Sequence, residues 1–300
     1  GYHRYFSHRS YKMGRVMQFL MAFLAQSSAQ KGVLWWAAHH RHHHKHSDQD
    51  DDVHSPVLQT IWYAHAGWLF DNKTLETHTD RVKDLAKYPE LVWLNKHFWV
   101  PIVVYAAVIL ALFGPVGLYW GFFMSTLFLW HGTFLVNSAT HLQGKRVYKT
   151  TDASRNNWWV SIFTMGEGWH NNHHFYQRST AQGWRWYEFD PTYRILKVLE
   201  FFRLVSDVRM APPHIVAQTA SPAELETTPI RKPMRPSRFR QLSDLRLLAS
   251  VDLRRALGPY WPGRGFQIGA RSSPVAKSGV AGSGESRRTP TPARDAHHES

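Results

Sequence analysis

Two apolar blocks dominate the hydrophobic pattern of the chain. Phe98–Leu112 is almost entirely apolar, Gly114-Pro115 interrupts it, and Val116–Val136 resumes it, with no Lys, Arg, Asp or Glu between Phe98 and Val136. Read as helices over 98–113 and 116–136, the blocks are roughly 24 and 31 Å long, enough for a hairpin across a ~30 Å hydrocarbon core if the first is slightly extended. A hairpin returns the chain to the side it left, so the segments before Phe98 and after Val136 share one face. Lys83, Lys87 and Lys96 flank one end, Lys145, Arg146 and Lys149 flank the other, and the turn has no cation, which places both flanks in the cytoplasm. Val16–Ala25 is too short to span and reads as an in-plane or buried amphipathic helix. A buried hairpin of a soluble helical protein is the bland alternative, and the charge-free length argues against it. His131 is the one ionisable side chain in the second span apart from tyrosines, and it faces protein or water or marks a site.

Composition divides the rest. From Ala217 to Ser300 the chain holds 9 of its 16 Pro, with 14 basic and 7 acidic residues, a pattern that buries too little apolar surface to offset its ordering entropy. We read 1–216 as the functional domain and 217–300 as a basic, mostly disordered tail with one short helix at Asp244–Leu257. The tail's excess of seven positive charges is half of the formal +14, and no nucleic-acid motif is present, so the charge does not point to a nucleic-acid partner. The chain has no Cys, which removes disulfides, thiolate-held clusters and a cysteine nucleophile. It has 20 His, so a bound metal is held by nitrogen or oxygen.

Four groups of histidine and asparagine fall on the shared face. His3 and His8 are spaced H-x4-H. His40, His43 and His44 form H-x2-H-H inside the run His39–His46. Asn137 and His141 lie at i and i+4, and His170, His173 and His174 repeat H-x2-H-H. On an α-helix i, i+3 and i+4 share a face, so each H-x2-H-H block projects three imidazoles toward one locus, and two blocks on facing helices make a cage. The H-x4-H pair lies about 140° apart around a helix and suits two metals or a distorted helix better than one chelate. Nine histidines exceed the ligands of one ion and suit two, and Asn137 adds an oxygen directly or through water. Imidazole alone does not name the metal; a histidine-rich dinuclear site beside a membrane hairpin, without a dedicated carboxylate pattern, favours iron and O2 chemistry on a lipid over hydrolysis. A solvated or adventitious metal-binding tract is the alternative for His39–His46 taken alone. Glu167 and Asp51 or Asp52 are candidates to accept an imidazole N–H and set its tautomer, with a plain surface role as the alternative. His39, His42 and His46 point to other helical faces, as bystanders or supports. His54, His65, His78, His97, His214, His297 and His298 are assigned ordinary surface or structural roles.

These segments resemble the three histidine boxes of membrane fatty acyl-CoA Δ9-desaturases: Gly1-Tyr-His-Arg-Tyr-Phe-Ser-His8, His40-Arg-His-His-His44 with Asp51-Asp-Val-His-Ser-Pro56, Val136-Asn-Ser-Ala-Thr-His141 and Gly166-Glu-Gly-Trp-His-Asn-Asn-His-His174. The resemblance runs from Gly1 to about Val208. It implies an all-α integral membrane fold with four spans, a cytosolic helical cap and a diiron site. It implies O2-dependent insertion of a cis double bond into a saturated acyl chain on CoA or lipid. By it, His3, His8, His40, His43, His44, His141, His170, His173 and His174 map onto iron ligands and Asn137 onto a water-mediated one. Ala66-Gly-Trp-Leu-Phe70 and Ser154-Arg-Asn-Asn157 are similar to family segments without a metal role. The departures are His46 where an aromatic residue is common, Val53 and Gln177 where Pro is usual, and the lack of the family's preceding membrane hairpin, so that the sequence reads as a fragment without its true N-terminus. The hard step is expected from the cofactor, with Trp35, Trp36, Trp158 and Trp159 as candidates for lining the substrate tunnel. No flavin, haem or iron–sulfur motif is visible, so electrons are expected from an external donor such as cytochrome b5 or a ferredoxin, drawn to a basic surface. Two other readings stay open on spacing alone: a diiron lipid or alkane hydroxylase, and a non-enzymatic membrane protein that stores or senses metal.

Overall fold

The computed structural model describes residues 1–226; the expected tail helix at 244–257 and most of the expected disordered segment lie outside them. Among the described residues there are helices, turns and isolated bridges but no strand. In chain order the α-helices are α1 (Arg15–Gln26), α2 (Val33–His46), α3 (Ile61–His65), α4 (Lys83–Ala86), α5 (Pro89–Lys96), α6 (Trp99–Gly117), α7 (Ser125–Leu142), α8 (Trp158–Phe163), α9 (His170–Phe175), α10 (Pro191–Phe201), α11 (Pro213–Val216) and α12 (Pro222–Glu226), the last a short helix within the stretch expected to be disordered. π-Helical turns occupy Tyr2–Ser7 and Leu118–Met124.

The apolar stretch Trp99–Leu142 is long and apolar enough to cross a membrane, and only 6% of its most apolar window is covered by the rest of the chain. It is not straight. Gly114, at φ 66° and ψ −167°, leaves helical geometry in a region open essentially to glycine alone. Pro115, which cannot donate to the preceding turn, starts the return limb. The limbs lie against each other beyond the bend: the Tyr105 hydroxyl donates to the Gly121 carbonyl at 2.8 Å, and the Tyr105 and Phe122 rings pack at 5.8 Å. The second limb runs on to Leu142, six residues past the expected end, because its last turns are buried in the body of the protein and not in an apolar exterior.

α1 is the amphipathic helix expected at Val16–Ala25, oriented as the in-plane alternative would have it. Its outward face is apolar, with Val16, Leu20 and Leu24 exposed, while the face toward the body buries Gln18 and Gln26. Buried amides must be bonded. Gln18 accepts from the Tyr5 hydroxyl at 2.8 Å, and Gln26 donates to the Leu94 carbonyl and accepts from the Val33 amide. Gln26 thus caps the start of α2 while its own helix packs on α5. Tyr5, Phe6, Leu34, Leu85, Leu91 and Leu94 fill the space between, forming the main core. The segments before and after the hairpin are one body, and the histidines lie in its interior.

Candidate metal centre

The nine histidines singled out by spacing all converge. Nitrogens of His3, His8, His40, His44 and His173 lie within 4.8 Å of one another, and so do those of His43, His141, His170 and His174. The groups are adjacent, with the His44 and His174 rings 4.3 Å apart.

Two local geometries differ from expectation. Each H-x2-H-H block feeds both groups: His40 and His44 join the first and His43 the second, while His170 and His174 join the second and His173 the first. The blocks sit between the two loci, so the i/i+4 pair chelates on one side and the i+3 ring turns to the other. His3 and His8 serve a single group, because Tyr2–Ser7 winds as a π-helix and its i→i+5 repeat stacks position 8 over position 3, with ring centroids 4.9 Å apart. The distorted-helix alternative is the one adopted.

The Nε2 atoms form a chain of close approaches: His3 to His173 at 2.9 Å, His173 to His44 at 2.9 Å, His44 to His40 at 3.0 Å and His40 to His8 at 2.9 Å. In the second group His141 and His170 meet at 3.1 Å, and the buried Nε2 atoms of His43 and His174 have no hydrogen-bond partner. Nitrogens each ~2.1 Å from a shared ion and at right angles lie about 3.0 Å apart, so these spacings and orphaned lone pairs fit metal ions. Burial pushes His8, His40, His44, His170 and His173 well below the usual imidazole range, which keeps them neutral as ligands must be.

Orientation comes from carboxylates behind the rings. Among the expected candidates, Asp52 accepts from His43 Nδ1 at 2.7 Å, and Glu167 accepts from His3 Nδ1. Burial alone would raise Glu167, but Arg4 at 2.9 Å and His3 outweigh it and hold the group below the usual carboxylate range. Asp51 does not take this role: its side chain is exposed, and its backbone carbonyl accepts from His42 at 2.9 Å. Sequence reasoning missed two others. Asp48 accepts from His141 Nδ1 at 2.8 Å, and Asp152 from His174 Nδ1 at 2.6 Å. With Nδ1–H bound to a carboxylate, each Nε2 lone pair is left facing inward. The acidic run after the second box was the available signal for Asp48; it occupies a left-handed conformation at φ 56° that turns the loop back under α2. Asp152 stands alone in a polar loop 22 residues before its partner and had no signal.

His54, assigned to the background, is buried with its ring stacked 4.2 Å from that of His43, and it shares a potential metal group with His43 and Asp52. His65 and His131 bond to each other at 3.1 Å. Asn157 caps α8 by accepting from the Val160 amide, and Asn156 donates to the Asn172 side chain, tying the loop after α7 to α9. Gly168 lets the chain before α9 approach the first turn of α8, where the Asn157 amide donates to the Gly168 carbonyl at 2.8 Å: a Cβ at 168 would lie 2.2 Å from the Ser161 amide nitrogen and 2.4 Å from the Asn157 carbonyl oxygen.

A cavity of about 750 Å³ opens on both groups, reaching His3 and His40 on one side and His43, Asn137 and His170 on the other. Its remaining wall is largely apolar, from Phe128, Leu129, Leu135, Val136 and Phe163. Trp36 and Trp159 line it as expected. Trp35 does not, because its indole turns inward to donate to the Thr74 carbonyl at 2.6 Å, and Trp158 is directed outward, 66% exposed. His131 also lines it.

Two adjacent histidine groups able to hold metal ions stand at the wall of one largely apolar cavity, the layout of a metal-binding protein with room for an apolar ligand. The model of the fatty acid desaturase family matches residues 1–203. An sn-2 palmitoyl-lipid 9-desaturase of Nostoc sp. (strain 36) is 35% identical over 218 residues, covering 71% of this chain and 76% of the relative. A palmitoyl-monogalactosyldiacylglycerol delta-7 desaturase of Arabidopsis thaliana and an acyl-CoA 5-desaturase of Anemone leveillei are each 35% identical over 212 residues, 70% of this chain, of which the chain spans 57% and 66% of the respective lengths. The chain belongs to the fatty acid desaturase family. It is by that membership an oxidoreductase acting on acyl chains.

Proposed function

We propose that the protein introduces a cis double bond, at the Δ9 position, into a saturated acyl chain carried on lipid or CoA, at a diiron site on the cytoplasmic face of a membrane that the hairpin crosses twice. The observation that supports this best is the placing of a five-histidine and a four-histidine group side by side on the wall of one apolar cavity. His3, His8, His40, His44 and His173 would hold one iron and His43, His141, His170 and His174 the other, with Asn137 beside the second group. Iron bound there would supply, with O2, the oxidising power needed at unactivated methylene C–H bonds. The net reaction is –CH2–CH2– + O2 + 2 e⁻ + 2 H⁺ → –CH=CH– + 2 H2O, with the electrons supplied by an external carrier.

The chain's own residues do the rest. The apolar wall takes the methylenes out of water and excludes solvent from the reacting carbons. Asp48, Asp52, Asp152 and Glu167 hold the imidazole tautomers. Arg4, buried and bonded to Glu167 and Asp190, fixes Glu167 in turn. Trp36, stacked on His40 at 4.8 Å, confines that ring from the cavity side.

The test is fatty-acid profiling of a desaturase-deficient host expressing the full coding sequence with and without His170→Ala. A new alkene lost in the variant is expected. An alcohol without alkene would sink the reading in favour of a hydroxylase, and purified protein holding zinc and altering no fatty acid would favour metal storage.

A further inference from the structure

One end of the largely apolar cavity opens to the outside of the protein through side chains that are themselves exposed and apolar: Phe128 and Leu129 on α7, and Phe163 and Met165 at and just after the end of α8. Such a mouth, on the charge-free limb, suits hydrocarbon and not water. His131, one turn from Phe128, is the one titratable side chain on the α7 wall, and it is exposed. Seventeen residues separate it from the bend at Gly114, about 26 Å of helix, which brings it near the far edge of a ~30 Å hydrocarbon core, the level at which acyl esters leave the hydrocarbon.

His131 is held by a relay. Its Nδ1 lies 3.1 Å from Nε2 of His65, and His65 Nδ1 lies 3.0 Å from the Ser138 hydroxyl, which also reaches the Phe134 carbonyl at 2.9 Å. A hydroxyl hydrogen rotates, so Ser138 can donate to either partner. When it donates to His65, that ring carries its proton on Nε2 and donates to His131, whose own proton then sits on Nε2. A relay that starts on the buried Ser138 thus ends on a donor at an exposed ring beside the mouth.

We infer that the His65–His131 pair binds the ester carbonyl of a membrane glycerolipid, so that the acyl chain enters the cavity from the bilayer, methyl end first, and its carrier stays at the mouth. The inference rests on the desaturase reading and narrows its substrate to acyl lipid. Length agrees with it. Six residues separate His131 from Asn137, about 9 Å along α7. An extended chain advances about 1.2 Å per bond, so the path from the carbonyl carbon to the ninth carbon is roughly 9–10 Å. A carbonyl held at His131 therefore brings that carbon level with Asn137, beside the four-histidine group. Charge agrees as well: a CoA thioester carries the same carbonyl on a polyanionic head, and among the described residues no Lys or Arg lines this cavity.

The test uses the full metal-loaded chain in vesicles of dioleoylphosphatidylcholine doped with carbon-13-labelled distearoylphosphatidylcholine, with labelled stearoyl-CoA as the competing arm and one reductant system for both. A second readout needs no turnover: a phosphatidylcholine with a diazirine beside the ester is photolysed and its cross-links are mapped. The expected result is faster alkene formation on the lipid than on CoA, and photolabel between Phe128 and His131. His131→Leu should raise KM for the lipid about tenfold with kcat little changed, and should spread the double bond to neighbouring positions. His131→Asn, which keeps an N–H donor, should restore most of both. Trp120→Leu, at an exposed position of the same limb outside the cavity wall, should change KM less than about twofold. Faster turnover of stearoyl-CoA overturns the inference, as does the lack of photolabel on α7, or a His131→Leu variant with KM and double-bond position unchanged. A wild type that is photolabelled on α7 but makes no alkene from either substrate refutes the desaturase reading and supports the lipid site.

Discussion

Replacing Asp152 by Asn should weaken metal binding at the four-histidine site selectively. The carboxylate accepts twice, from His174 Nδ1 at 2.6 Å and from the Ser154 amide at 3.0 Å. An Asn side chain has one acceptor oxygen. If the oxygen stays on the Ser154 amide, the NH2 group faces His174 and donates to Nδ1, which moves the imidazole proton to Nε2 and removes the lone pair that the metal needs. If the oxygen stays on His174, two donors oppose each other at Ser154. Either way a charge-assisted hydrogen bond is lost in a buried setting, worth about 1.5–3 kcal/mol, which corresponds to roughly 10–100-fold in metal affinity. Chelator titration of the metal-loaded protein, with metal counted per chain, measures this directly. The variant should lose about half of its metal at a chelator concentration that leaves the wild type intact. Equal loss from both sites, or none, would refute the claim that Asp152 sets the tautomer of His174.

Gly168→Ala should cost about 1–3 kcal/mol or prevent folding, because the new methyl would meet backbone atoms of Ser161 and Asn157 that cannot yield without displacing α8 from α9; thermal unfolding of detergent-solubilised protein reads it. Gly114→Ala meets no neighbour within 4 Å, so its cost is backbone strain alone, about 1–3 kcal/mol, and metal content per folded chain should be unchanged. Lys31, its ammonium over the Trp35 ring at 4.4 Å, is pushed down to about 8 by burial. A group that binds its proton less tightly when folded makes stability rise with pH between the two values, here from about pH 8 to the ordinary lysine range near 10.5. Denaturant titrations across that interval should show the rise in the wild type and a smaller one in Lys31→Met.

The convergence of the histidines was legible because its signal is local. Imidazoles three and four residues apart share one face of a helix, so the spacings of His40, His43, His44, His170, His173 and His174 single these residues out before any fold is known. The charge-free blocks around Gly114-Pro115 announced the bend for the same reason: a lone Gly-Pro between two apolar runs has few other uses. By contrast, the carboxylates behind the rings are matched to their histidines through space. Asp48 lies 93 residues from His141 and Asp152 lies 22 from His174. Periodicity does not reach across such separations, which is why Asp51 and Asp52 looked equivalent until the loop's path buried Asp52 and left Asp51 in water.

The sequence by itself therefore determined which histidines gather and that an apolar hairpin stands beside them. Both follow from short-range rules of helical spacing and charge exclusion. Only the tertiary structure decided how nine histidines divide into five and four. A helix carrying H-x2-H-H can aim its rings at one point or at two, and the choice depends on where the facing helix and the π-helical Tyr2–Ser7 turn lie. The fold also settled that the centre has an apolar cavity opening on both groups and a basic one at His8. These walls are assembled from α2, α7, α8 and the loop after α10, and no one segment carries their shape.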